Sequence, residues 1–419
     1  MNKVCITGAG LICPLGADKS SSFRAALEGH SAIGPSPADI AERLPDVLVA
    51  RVVSDPAALL DRQYAGLDRA TQFALIAAAE AMADANIAVP PEDSPRFGVF
   101  VGIGFAGAQT LDNLYTRYFR TLTDPTQAHK NPNIMHPLTV PRMMANAAAA
   151  TISMRYGLRG PSNTYSVACA SSAVALGEAF RAIRHGYLDA AIVVGAEAML
   201  NPGVLVAWNA LRVMAKPDPA DPSRSCRPFS LDRNGFVLGE GAAALVLESE
   251  ARANQRGAVV LAEMAGYGCS SDAQHLTSPS VEGQVQAMAE ALHEANLLPE
   301  HVGYLNAHGT ATQAGDAVET QAIHKVFGQH APKLPVSSTK AVHGHLIGAG
   351  GVLEFALSIM ALNSGSLPPT AHLDIPDPQC DLDYIPLKAR HGCDIDVVMS
   401  NSFAFGGSNA SLLARRYTR

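Results

Sequence analysis

The chain has 419 residues, more than one simple core holds, and 48% hydrophobic against 16% charged residues give it the means to bury two or three packed units. That balance excludes extended disorder. A net charge of −7 and a pI near 6.0 provide no overall pull toward nucleic acid or an anionic membrane, so neither is an expected partner.

No uninterrupted apolar run reaches the roughly 18 residues that cross a bilayer, because Asp189 and Glu197 break the most apolar window, the one around "AAIVVGAEAML". The start, "MNKVCITGAGLICPLG", lacks a signal-peptide core, and a cytoplasmic protein is expected. Seven cysteines, at 5, 13, 169, 226, 269, 380 and 393, are scattered without C-x-x-C spacing, against both a disulfide framework and a cysteine-based zinc site.

In chain order, "KVCITGAG" reads as a short strand closed by a glycine turn. Polar, proline-rich sequence runs to about Asp61, and "LDRATQFALIAAAEAMADANI" then has alanine-rich helical periodicity. "RFGVFVGIGFAG" is a second strand. From Gln109 to Pro141, including "DPTQAHKNPNIMHP", the pattern weakens into an expected surface excursion or cap. "RMMANAAAATISMRYGL" is helical, "NTYSVACA" strand-like, Ala173 to His185 helical and "AAIVVGAEA" a strand; a Pro- and Arg-rich loop (Lys216 to Asn234) precedes the strand "GAAALVLE". Apolar strands alternating with helices predict an α/β fold with a parallel or mixed sheet covered on both faces. The second half echoes the first: "VVLAEMAGYG" parallels the opening strand, "VGYLNAHGTAT" parallels "FGVFVGIGFAG", and "VVMSNSFAFGG" sits where "IVVGAEAML" sat. Two related halves, 1–255 and 256–419, are expected.

The stretch "SVACASSAVALGEAFRAI" places Cys169 at a helix start, where free backbone N–H groups favour a thiolate and predict a lowered thiol pKa. The same small residues also suit a tight strand-to-helix turn with a buried cysteine, and the stretch alone does not choose. Three more strand ends carry reactive groups: "NAHGTAT" holds His308, "STKAVHGHLIGAGG" holds Lys340 and His345, and "NSFAFGGSN" offers a glycine turn whose N–H groups suit an oxyanion.

Those motifs, with "VCITGAGLICPLG", "CRPFSLDRNGFVLGEGAAALVLE" and "DAQHLTSP" in this order, resemble along nearly the whole chain a β-ketoacyl-acyl carrier protein synthase of the elongating type II class, in the thiolase-like superfamily. The resemblance implies a five-layered αβαβα fold of two pseudo-duplicated halves with mixed sheets. It implies decarboxylative condensation of an acyl thioester with malonyl-acyl carrier protein, in fatty acid or polyketide elongation. By the same resemblance Cys169 is the acyl-accepting nucleophile, and His308 and His345 stabilise the enolate as neutral Nε2–H donors. Lys340 acts electrostatically beside a buried partner, Glu354. The N–H groups of Cys169 and Phe405 form the oxyanion hole, Phe405 is the gating aromatic, and Thr310 and Thr312 bind the phosphopantetheine arm. No cofactor and no metal are implied; His343, two residues before His345, lacks helical ligand spacing. The implied partners are acyl carrier protein and either a second copy or a related ketosynthase-like subunit.

The sequence departs from the family at several points. The usual K-S-x-x-G-H has Ala341 for serine and an uncommon His343, which puts the local hydrogen-bond network in question. Phe105 in "GIGFAG" stands where relatives carry a smaller residue in the acyl pocket, so a shortened pocket is expected, or simple core packing. Arg62, Arg69, Arg212 and Lys216 are candidates for docking an acidic carrier, though Ala65 and Gly66 thin the cluster. A non-catalytic chain-length factor and a thiolase fit the Cys169, His308, His345 set less well.

Overall fold

A computed structural model describes residues 1–42, 44–124, 126 and 136–418. Ten strands in it form one mixed sheet: β1 (Val4–Ile12), β2 (Phe97–Gly102), β3 (Ser162–Tyr165), β4 (Ala190–Glu197), β5 (Gly241–Ser249), β6 (Ala262–Ser271), β7 (Tyr304–Asn306), β8 (Val336–Ser337), β9 (Val397–Phe403) and β10 (Ser408–Arg415). Their order is β8-β7-β9-β10-β6-β1-β5-β4-β2-β3. Read outward from the centre, each strand of the first half has its counterpart five strands later. The halves join where β1 pairs antiparallel with β6.

The helices that cover the sheet or reach the site are α1 (Arg69–Asp84), α2 (Ala108–Thr123), α3 (Ser171–Arg184), α4 (Pro202–Ala210), α5 (Val281–Ala295), α6 (Gln313–Phe327), α7 (Lys340–His343) and α8 (Gly350–Ser364). Asp68 caps α1 by accepting the Ala70 N–H at 3.1 Å, a contact of about 1 kcal/mol, and alanines then carry the helix. Its Phe73, Ala77 and Ala81 bury against Val99, Val194 and Val246 on one outer face. On the opposite outer face Met288 and Ala291 of α5 pack on Leu305, Met399 and Leu413. Between the two halves, Leu176 and Phe180 of α3 meet Leu353 and Ala356 of α8, with Leu245 and Leu412 from the sheet. The layering is α, β, α, β, α, as the resemblance implied.

Two expectations about local structure change. The glycines of "ITGAG" do not end β1; they lie within it, because α1 crosses so closely that a Cβ at Gly8 or Gly10 would stand 2.3 or 2.2 Å from the Ala81 or Ala77 carbonyl oxygen. Gly266 and Gly268 of β6 meet α5 the same way, at 2.3 and 2.0 Å from the oxygens of Ala291 and Ala287. The segment from 109, where the pattern was expected to weaken into a surface excursion or cap, begins as the largely exposed helix α2, whose Leu111, Leu114, Tyr115 and Tyr118 recur at three- and four-residue spacing. Most of "DPTQAHKNPNIMHP" lies outside the described residues.

Residues 347–364 are long and apolar enough to cross a bilayer, but 83% of that stretch is buried in the fold as the central α8 layer.

Candidate active site

Cys169 sits in a single 3-10 turn, Ala168–Ala170, between β3 and α3, and is 6% exposed. Ala168 takes a left-handed φ of +48°, which swings the chain sharply enough to aim the next side chain across the sheet ends. Ser171 stabilises the turn: its hydroxyl donates to the Ala168 carbonyl at 2.6 Å and accepts the Val167 N–H at 2.9 Å.

The second half supplies the facing groups. His308 follows β7, its loop held by Glu319 of α6, which accepts the His308 and Gly309 N–H groups at 2.9 and 2.8 Å. His345 follows α7; its N–H donates to the Val237 carbonyl at 2.7 Å and its carbonyl accepts from Gly239 at 2.9 Å. The His345 Nε2 lies 3.0 Å from the Cys169 Sγ, and the two imidazoles meet edge-on, centroids 5.4 Å apart. The Ile347 N–H donates to His345 Nδ1 at 3.3 Å. Nδ1 is therefore the acceptor, and the neutral ring carries its proton on Nε2, facing the sulphur.

Electrostatics follow burial. Lys340 and Glu354, each 1% exposed, form a buried ion pair at 2.6 Å. Burial, then the Lys340 cation, holds both His308 and His345 well below the usual imidazole range, so both are neutral. Burial pushes Glu354 up to about 7 against the pull of Lys340. The lowered thiol pKa expected from the helix start is not found: burial pushes Cys169 up to about 12, outweighing Lys340 and the Phe405 and Cys169 N–H groups. The resting nucleophile is a neutral thiol.

The site opens into a cavity of about 170 Å³ lined by Cys169, His308, His345, Thr310, Thr312 and Phe405 among others. Thr310 and Thr312 share a hydrogen bond at 3.1 Å, and the Thr312 hydroxyl also caps α6 by accepting the Gly315 N–H at 3.2 Å. Phe405 precedes Gly406 and Gly407, both at positive φ, and its N–H points toward the sulphur. Phe105 does not line this cavity, and the residue is 42% exposed, so core packing does not describe it in the single chain. Arg69 is not free to dock a partner, because Glu240 takes its guanidinium at 2.6 and 2.8 Å. Arg62, Arg212 and Lys216 are exposed. Ala341, at the family serine position, is buried beside Val342 and Ala371, and the uncommon His343 is itself satisfied: its Nδ1 pairs with the Gly344 carbonyl at 2.7 Å and its Nε2 with the Thr339 hydroxyl at 2.9 Å.

Three residues of the site carried no sequence assignment. Glu319 lay inside the motif "NAHGTATQAGDAVE" without a role. Trp208 of α4 stacks on Phe405 with centroids 6.2 Å apart and meets Phe236 edge-on at 5.6 Å; as the sole tryptophan of the chain it was a visible signal. Phe236 in turn stands edge-on to His345 at 5.3 Å. The donor atoms of Cys169, His308 and His345 lie within 4.8 Å of one another, the only such grouping of three potential metal ligands among the described residues.

Residues 1–253 match the family described as "Beta-ketoacyl synthase, N-terminal domain", and residues 261–374 its C-terminal domain. The chain belongs to the β-ketoacyl synthase family. Members are condensing acyltransferases, and so is this chain. Among its relatives, nodulation protein E of Rhizobium leguminosarum bv. trifolii is 42% identical over 99% of each chain. The 3-oxoacyl-[acyl-carrier-protein] synthase 2 of Coxiella burnetii is 38% identical over 99% of this chain and 98% of its own. Of solved structures, the type II polyketide ketosynthase AntDE, bound to its acyl-carrier protein AntF, superposes with a TM-score of 0.90 at 29% identity over 100% of both chains. The ishigamide ketosynthase/chain length factor superposes at 0.89 with 30% identity, also over 100% of both.

Proposed function

We propose that this β-ketoacyl synthase is a 3-oxoacyl-[acyl-carrier-protein] synthase that holds its acyl chain on Cys169. In the first step the Cys169 sulphur attacks the acyl-carrier thioester, the carrier's pantetheine thiolate leaves, and the cysteine proton ends on that thiol. In the second, malonyl-carrier loses CO2, its enolate carbon attacks the Cys169 thioester, and the cysteine sulphur leaves and takes up a proton. The observation that carries this reading is the 3.0 Å contact of the protonated His345 Nε2 with the Cys169 sulphur, with neutral His308 beside it. Two neutral N–H donors suit an enolate oxygen in a site closed to water. The Cys169 and Phe405 N–H groups are assigned to the oxyanion, Thr310 and Thr312 to the pantetheine arm, and Lys340 to keeping both histidines uncharged.

The reaction so drawn uses neither metal nor organic cofactor. A metal at His345 Nε2 would displace the only proton of a ring whose Nδ1 already accepts the Ile347 N–H, requiring an imidazolate. The carrier is the expected protein partner, with Arg212 and Lys216 as its docking cations, since Val213 between them lines the cavity. Pairing with a second copy or a related subunit is supported by two surfaces. The strand β3 is an open sheet edge, and on α2 Tyr115, Phe119 and Leu122 are 52%, 58% and 60% exposed. Phe105 is assigned to an acyl pocket that such pairing would complete. A division at residue 255 belongs to the same reading, supported by the repeated strand order.

A second reading, a specialised pathway acting with a chain-length-factor partner, is favoured by the likeness to the ishigamide ketosynthase/chain length factor, and its pathway by the 42–43% identity to relatives named nodulation protein E against 37–38% to relatives named synthase 2. Mass spectrometry of Cys169 after incubation with acyl carriers of graded length, then with malonyl-carrier, tests the proposal. Acylation at Cys169 followed by discharge to a 3-oxoacyl-carrier is expected. No acylation at all would overturn it, and acylation only with a partner subunit present would favour the second reading.

A further inference from the structure

Glu197, the last residue of β4, is completely buried and has no cationic partner among the described residues. Its carboxyl is satisfied by backbone alone. Oε2 accepts the N–H groups of Gly104 at 2.8 Å and Gly348 at 3.0 Å, and Oε1 accepts that of Phe105 at 3.2 Å. These donors come from two segments 243 positions apart, the loop after β2 and the turn after His345. The segments touch: a Cβ at Gly348 would stand 2.2 Å from the Gly104 nitrogen, and one at Gly104 would stand 2.6 Å from Glu197 Oε2.

The second segment is strained. Ile347 sits at φ +43°, a conformation that costs a β-branched residue on the order of 1–3 kcal/mol and persists only where its surroundings hold it. The N–H of this same residue sets the His345 tautomer, and the next N–H, that of Gly348, is the one Glu197 takes. We infer that Glu197 is a positioning residue of the condensation site: its carboxyl ties the Ile347–Gly348 turn to the loop bearing Phe105, so that the Ile347 N–H meets His345 Nδ1 and Nε2–H is left facing Cys169. Burial pushes Glu197 up to about 8, and the clamp survives protonation, because a proton on Oε1 leaves Oε2 accepting from both Gly104 and Gly348. The inference rests on the role proposed above for His345.

That arrangement predicts an unequal response to two substitutions. Glu197→Gln keeps an oxygen for Gly104 and Gly348 and retains kcat within roughly threefold, whereas Glu197→Leu keeps no acceptor and loses roughly ten- to hundredfold in kcat, with KM for the acyl carrier nearly unchanged, the scale expected for a small displacement of a catalytic group. The tautomer is read directly from the ¹⁵N shifts of the two His345 ring nitrogens in labelled protein. The wild type and Glu197→Gln should show Nε2–H, and Glu197→Leu a mixture. Equal kcat in all three proteins, or an Nδ1–H tautomer in the wild type, overturns the inference, and the wild-type measurement stands even if Glu197→Leu does not fold. Failure of Cys169 to accept an acyl chain in the wild type would instead count against the proposed function, since the nitrogen shifts do not depend on turnover.

Discussion

The turn that carries Cys169 and the turn that follows His345 are built alike. Each is a 3-10 turn of three residues, Ala168–Ala170 and Ile347–Ala349, opening on a left-handed non-glycine residue (φ +48° and +43°) and running directly into a central helix. They are counterparts in the two halves, and they meet: the Ser172 hydroxyl at the start of α3 accepts the Val352 N–H of α8 at 3.1 Å. What differs is the second position. In the first turn it is Cys169, whose side chain reaches the cavity. In the second it is Gly348, where a Cβ would strike the Gly104 nitrogen. The same backbone device therefore presents a nucleophile in one half and, in the other, two N–H groups that hold a histidine and a carboxyl. A duplicated fold gains an asymmetric site by changing one side chain in a shared turn.

The sharpest way to break this comparison is to exchange alanine into both second positions. Cys169→Ala removes the only atom that can carry the acyl chain, so condensation should fall by at least about a thousandfold, as for the loss of a covalent nucleophile, while the melting temperature stays near wild type. Gly348→Ala should do the reverse, lowering the melting temperature first, because the new methyl has to displace backbone rather than a flexible side chain. Paired thermal melts and condensation assays check both; a stable, fully active Gly348→Ala would show that the second turn is not constrained as described. Next in size is the buried pair behind the histidines. Lys340→Met leaves Glu354 buried without its cation and should cost about 3–5 kcal/mol, whereas Lys340→Met with Glu354→Leu should recover much of that stability and none of the activity. Recovery of activity in the double variant would remove Lys340 from the electrostatic role assigned to it.

The short motifs around the turns made the residue types and the α/β layering legible in sequence, because each motif is local and each strand end carries its own reactive group. What was not legible depends on residues far away. The helix-start argument for Cys169 looked only at its own helix and missed the enclosure by the second half, which pushes the thiol up to about 12. Arg69 read as a docking cation because its partner Glu240 lies 171 positions further on. The glycines of β1 read as a turn because the helix crossing them begins some sixty residues later. Trp208 and Glu197 had no reactive neighbour in sequence to draw attention to them. The α2 helix was legible in its periodicity, and the proline- and asparagine-rich sequence that follows masked it.

The smallest expected effect concerns His343, which stands in the second turn's approach where the family pattern has no histidine. Burial, then the Lys340 cation, holds it down to about 3, so the folded chain keeps it neutral while the unfolded chain protonates it below about 6.5. Its contribution to stability is therefore full above pH 6.5 and lost as the pH falls from there toward 3, at about 1.4 kcal/mol per pH unit for one proton. Glu354 and Glu197 act in the opposite sense, since burial raises both and the folded chain binds protons the unfolded chain has lost. The total stability curve thus mixes both signs, but the difference between the wild type and His343→Gln cancels the carboxyls and isolates the histidine. The variant, less stable at pH 8 for want of the two hydrogen bonds of the ring, should close the gap by about 1 kcal/mol between pH 6.5 and 5.5, where the unfolded histidine goes from half to nearly fully protonated, measured by denaturant unfolding at each pH. A gap that stays constant across that range would mean that His343 takes up its proton in the folded chain as readily as in the unfolded one, and that Lys340 does not impose its field on the turn.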